Sequence, residues 1–142
     1  MSTHKINNIC NQLTVIPPKP PTIVLKADTG ASKNYIKPSD MHILSNIENT
    51  KHGPQVNLPD GSTMNTVGKG VLPLNAFLSK IAQTGNILKG LSNSLLLSIG
   101  QLCDDNCIAV FSKLKLRIYK NGKLLLTGIR NWTDGLWDVV VP

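Results

Sequence analysis

Short apolar runs, separated by clusters of glycine, proline and polar turn residues, alternate along all of this 142-residue chain. Thr22 to Leu25 is a β-branched run that reads as a strand. Pro38 to Asn46 predicts one short helical piece, with Ser39 or Asp40 able to cap it. Gln55-Val-Asn-Leu58 is extended, Pro59-Asp60-Gly61-Ser62 makes a turn, and Thr63 to Val67 returns, which together predict a hairpin. Gly68-Lys-Gly70 interrupts the returning strand and marks a bend or a bulge where two backbones approach, after which Val71 to Leu74 resumes it. Ala76 to Leu91 mixes apolar pairs with Gly85 and Gly90 and reads as a loop or a strand pair. Leu95 to Ile99 predicts a fully buried strand ended by Gly100, and Gln101 to Asn106 one helical turn. Ile108–Phe111, Lys115–Tyr119 and Lys123–Thr127 follow as strands, the last two joined by a turn through Asn121-Gly122. Many short strands with little helix predict an all-β barrel or sandwich.

Composition narrows this picture. The length suits one domain with its own core. Apolar residues are 41% of the chain but aromatic ones only 4%, so the core is expected to be aliphatic and an aromatic base-stacking platform is not expected. No apolar run approaches the length of about 20 residues that spans a bilayer, so no membrane partner is expected. The first residues, Met1-Ser-Thr-His-Lys-Ile-Asn-Asn, lack the apolar centre of a secretory signal, which predicts a cytoplasmic or particle-enclosed location. The formal charge of +7 allows weak contact with nucleic acid, although the Lys and Arg residues are dispersed and read mainly as solvated surface. Cys10, Cys103 and Cys107 read as reduced, buried thiols, since no companion ligands complete a zinc site. Residues 1 to 20 end in the proline-rich Ile16-Pro-Pro-Lys-Pro-Pro21 and predict a flexible arm.

The stretch with the most chemistry is Ala27-Asp28-Thr29-Gly30-Ala31-Ser32, which follows the first strand directly. It presents one carboxylate at a strand end, inside a tight turn rich in hydroxyl groups and glycine. An aspartic peptidase builds half of its catalytic centre this way. The chain holds one such turn, so the second carboxylate would come from a second copy. Other nucleophile readings fail on context. Ser32 and Ser98 lie outside a nucleophile elbow, Cys103 and Cys107 have no nearby histidine in sequence, and Gly68-Lys-Gly70 is too short for a phosphate loop.

In order along the chain, the acidic turn, the glycine-tipped hairpin and the strand ending Ile99-Gly100 resemble a retroviral-type aspartic peptidase. Val56-Asn-Leu-Pro-Asp-Gly-Ser62, Gly68-Lys-Gly70, Leu95-Leu-Leu-Ser-Ile-Gly-Gln-Leu-Cys103 and Gly135-Leu-Trp137 are similar to recurring pieces of the protease region of Ty1/copia-type retrotransposon polyproteins. The resemblance covers about residues 21 to 142. It implies an all-β, retropepsin-like closed barrel or sandwich with a flap hairpin and one short helix, active as a homodimer. It also implies a protease domain over 21–127 and a tail over 128–142 like the protease–integrase linker, in an excised, truncated or domesticated copy.

The chemistry implied is hydrolysis of a peptide or polyprotein substrate within a retrotransposon particle, with no cofactor and no metal. Two carboxyl groups about 3 Å apart share one proton, and together they activate water and polarise the scissile carbonyl. By resemblance Asp28 is catalytic, the Thr29 hydroxyl braces two turns against each other, and Gly30 lets backbone amides approach the carboxylates. Ala31 and Ser32 complete the turn, with Ser32 a hydrogen-bond partner for Asp28. Leu58, Pro59, Asp60, Gly61 and Ser62 form the flap tip, where Asp60 departs from the glycine-rich, apolar tips of retroviral flaps. Ile99 and Gly100 pack beneath the catalytic turn, and Ser98 stands where a second apolar residue is usual. The alternative is a non-catalytic module of the same fold that dimerises or binds nucleic acid.

Overall fold

The computed structural model describes residues 22–51, 53–57, 61–91 and 95–142, and these are mostly β-strand. The expected arm over 1–20 lies outside the described residues. The strands are β1 (Val24–Asp28), β2 (Asn34–Ile36), β3 (Ser45–Asn49), β4 (Gln55–Asn57), β5 (Thr63–Val71), β6 (Thr84–Leu88), β7 (Leu95–Ser98), β8 (Cys107–Phe111), β9 (Lys115–Lys120), β10 (Lys123–Arg130) and β11 (Trp137–Val140). A 3₁₀ helix spans Pro38–Ile43, and a short α-helix, α1, spans Ile99–Asp104. Two helical pieces therefore stand where the family resemblance implied one.

The sheet runs β3-β5-β6-β2-β7-β1-β11-β10-β9-β8, with β4 paired to β5 off this path. It has two ends and does not close, which corrects the expected closed barrel. β1 and β2 are consecutive in sequence but not neighbours in space. β7 inserts between them, parallel to β1 (Leu25 opposite Leu95, Asp28 opposite Ser98) and antiparallel to β2. The turn after Asp28 must therefore cross the end of β7, and that crossing positions the site.

Alternation along β1 sends Leu25 and Ala27 into the core and leaves Lys26 and Asp28 on the opposite face. The core is aliphatic as expected, built from Leu25, Ile36, Leu72, Ile87, Leu97, Leu102, Leu116, Ile118 and Val139, all 0–1% exposed. Each such side chain contributes about 1.5–3 kcal/mol by leaving water.

Several local readings shift. β5 is one continuous strand through Gly68 and Gly70, not an interrupted one, and it carries a register shift between Thr66 and Gly68. An added Cβ at Gly68 would stand 2.8 Å from the Glu48 carbonyl oxygen, and at Gly70 2.8 Å from Leu44 Cβ, so the expected close approach is real. The 3₁₀ helix stops at Ile43, and its N-cap is Lys37, with no side-chain cap. Asp40 instead forms an ion pair with Lys37 at 3.7 Å. The β9–β10 hairpin turns through Asn121 (φ 50°) and Gly122 (φ 75°), the two left-handed residues of a type I′ turn.

Two pieces of the expected tail over 128–142 are strands of the sheet. β10 runs through Arg130, and β11 pairs with both β10 and β1, so a boundary at 127 would cut a strand. Cys107 is buried, but Cys103 is exposed, which corrects its expected burial. Burial, with Asp105 nearby, pushes the Cys107 thiol above the ordinary cysteine value. It is therefore an unreactive packing residue at neutral pH.

Candidate active site

Asp28 ends β1, and Oδ1 of its carboxylate accepts a hydrogen bond from the Gly30 N–H at 2.7 Å. The bond closes a tight Asx-type turn. An added Cβ at Gly30 would meet that same oxygen at 3.3 Å, so glycine suits the close approach of amide and carboxylate. Oδ1 thus takes its bond from Gly30 rather than from Ser32, the partner expected from the sequence. Thr29, Gly30 and Ser32 are exposed, Ala31 is half-buried, and no ion pair engages Asp28 among the described residues.

The support beneath the turn is polar and was not legible in the sequence. Ser98, fully buried at the end of β7, donates its hydroxyl to the Ala31 carbonyl at 2.7 Å. The Ser98 hydroxyl oxygen also accepts from the Gln101 N–H at 3.1 Å and so caps α1. Asn34, also fully buried, accepts the Ser98 N–H at 2.7 Å and donates to the carbonyls of Ala82 at 2.9 Å and Thr84 at 3.0 Å. One serine therefore ties the acidic turn, β7 and α1 together, and one asparagine ties that junction to β6. A Ser-x-x-Gln spacing at the start of a helix was the available signal for the cap. Nothing local marked Asn34.

Ile99 and Gly100 open α1 rather than close β7. Ile99 is buried, as expected of a residue beneath the site. Gly100 is exposed, and an added Cβ would find its nearest atoms at 3.8 Å and 4.0 Å, so no tight packing requires glycine there within one chain.

Above the turn stands the β4–β5 hairpin, with Gln55 opposite Asn65 and Asn57 opposite Thr63. Of the expected tip, Leu58, Pro59 and Asp60 lie outside the described residues. Gly61 has φ 86° with open space around it, and Ser62 is exposed. Turn and hairpin meet across a cleft of about 280 Å³ lined by Ser32, Lys33, Tyr35, Gln55, Asn57 and Asn86, among others. Of these, only Ser32 was foreseen. A larger cleft of about 460 Å³ lies between β1, β11 and β10, beside Val24, Ile129 and Val140, and includes no residue of the acidic turn. Comparison with protein-family models, with curated proteins and with solved structures gave no match.

Toward β11, Lys26 forms ion pairs with Asp134 (2.6 Å) and with Asp138, whose other oxygen accepts from the Asn131 side chain. Burial works against the Lys26 charge, but hydrogen bonds to Asp134 and Asp138 outweigh it and hold the ammonium above the ordinary lysine value. The Lys26 ammonium in turn holds Asp134 below the usual carboxylate range. Among the described residues no group of three His, Cys, Asp or Glu side chains is arranged to hold a metal ion.

Proposed function

We propose that this chain is one protomer of a homodimeric, retropepsin-like aspartic endopeptidase in which Asp28 of one copy faces Asp28 of the other. The observation that carries the reading is the Asp28 turn: a carboxylate at a strand end, bonded to the Gly30 amide, in a turn that Ser98 holds through Ala31 and whose last residue, Ser32, lines a cleft beside the β4–β5 hairpin. In the dimer the two carboxyl groups share one proton, and the apparent pKa values belong to the pair. The ionised carboxylate takes a proton from water as the water attacks the scissile carbonyl. The neutral one hydrogen-bonds the carbonyl oxygen, and because water is the nucleophile no covalent enzyme intermediate forms. An extended peptide lies between turn and hairpin, where backbone groups of the hairpin supply strand-like hydrogen bonds. The resemblance to Ty1/copia-type proteases makes the chain's own polyprotein flanks the natural substrate.

A second reading, a non-catalytic module of the same fold that binds nucleic acid, draws on the charge of +7. Salt-sensitive RNA binding by a wild-type chain without peptidase activity would favour it. The test of the first reading is Asp28→Asn in a chain fused to its flanking sequence. Cleavage should fall by at least about 1,000-fold with the fold retained, and a variant that still cuts overturns the mechanism. Activity that persists in a sedimenting monomer overturns the dimer.

A further inference from the structure

We propose that β8 is an open sheet edge that captures an extended, acidic segment of another protein by adding it as a further strand. The two ends of the sheet differ in chemistry. β3, at one end, is fully exposed and guarded by Glu48 and three polar neighbours. β8, at the other, reads Cys-Ile-Ala-Val-Phe, without a charge, proline or glycine to discourage pairing.

The register shows which backbone groups are free. Ser112 N–H bonds the Lys115 carbonyl, so the hydrogen-bonded pairs toward β9 continue at Val110–Arg117 and Ile108–Tyr119. The N–H and C=O groups of Ala109 and Phe111 therefore point away from β9, to the side where the described residues hold no strand. A main-chain edge of this kind calls for an extended peptide, not a base or a lipid.

Side chains narrow the choice. Ile108 is 66% and Val110 46% exposed on one face, beside Arg117 and Tyr119 on β9. Lys113, Lys115 and Arg117 are exposed and have no ion-pair partner among the described residues, whereas Lys120 is matched to Asp105. A strand that alternates carboxylates with apolar residues sets all its carboxylates on the Lys115–Arg117 face and its apolar side chains on the opposite face, beside Ala109 and the partly exposed Phe111. Pairing β8 with a second copy would instead bring like charges together. The edge lies on different strands from the Asp28 turn, so this inference stands apart from the proposed peptidase.

The experiment uses the full chain and an acetylated Glu-Val-Glu-Val-Glu-Val-Glu peptide, with Lys-Val-Lys-Val-Lys-Val-Lys and oligo(dT) as competing probes. Saturable binding of the acidic peptide should slow amide exchange at Ala109 and Phe111 by about tenfold or more. The basic peptide should bind on the order of tenfold more weakly, and joint Lys115→Glu and Arg117→Glu changes should reverse that preference. Ala109→Pro should remove an outward N–H, keep the β8–β9 ladder and weaken binding. The proposal is overturned by an absence of binding, by binding without protection at Ala109 and Phe111, or by equal binding of the two peptides. Displacement by oligo(dT), or protection that grows with protein concentration alone, would assign the edge to nucleic acid or to self-association and equally overturn it.

Discussion

Two polar clusters hang on β1, and they are built on opposite principles. Around the Asp28 turn, Ser98 and Asn34 are neutral, fully buried and hydrogen-bonded to backbone groups of β6, β7, α1 and the turn itself. Toward β11, Lys26, Asp134 and Asp138 are charged, and Asp134 is open to solvent. A buried neutral network fixes position, because each lost partner leaves a desolvated group behind. An ion cluster that is open to solvent at Asp134, though its Lys26 is buried, is partly screened and follows pH. The acidic turn thus rests on the rigid cluster, while the pH-sensitive one fastens the Asn131–Leu136 turn to the first strand.

The largest stability effect should come from Asn34→Ala. It strips hydrogen bonds from the Ser98 N–H and from the Ala82 and Thr84 carbonyls, and should cost about 3 kcal/mol or more in denaturant unfolding. Ser98→Ala removes the bond to the Ala31 carbonyl and the cap of α1, and about 1–2 kcal/mol should follow. The same variant should lose the proposed peptidase activity beyond its loss of stability, because the turn loses its tie. Lys26→Met should cost less than either, and a larger loss than that of Asn34→Ala would break the comparison.

The smallest effect is a pH profile. Asp134 has its folded pKa below the unfolded value, so its contribution is present above the ordinary carboxylate range and is lost as pH falls through the lowered value. Lys26 has its folded pKa raised, so its contribution is whole below the ordinary lysine value and is lost as pH rises through the raised one. Stability should form a plateau between these limits, and Lys26→Met should flatten its alkaline edge. An unchanged alkaline edge in that variant would show that the cluster does not carry the dependence.

Legibility followed the range of the forces involved. The Asp28 turn, the β4–β5 hairpin and the Asn121-Gly122 turn depend on residues a few positions apart, and each could be read locally. Ser45–Asn49 was hidden because Asn and Glu have low strand propensity, and pairing with β5 overrides it. β11 was hidden for a related reason. Trp137-Asp138 follows the turn residues Asn131, Thr133, Asp134 and Gly135, and becomes strand by pairing with β1 and β10. Ser98 looked like a departure from an apolar pattern, yet its hydroxyl is what the turn rests on.

By itself, then, the sequence determined an all-β chain with an aliphatic core, its main turns and the one acidic turn, since propensity and turn chemistry act over short separations. Only the tertiary structure decided that the sheet stays open, that Trp137–Val140 joins it as β11, and that β7 lies between β1 and β2. Those outcomes depend on which distant strands pair, as Leu25 does with Leu95. Such pairing is selected by burial of whole faces, which no local window contains.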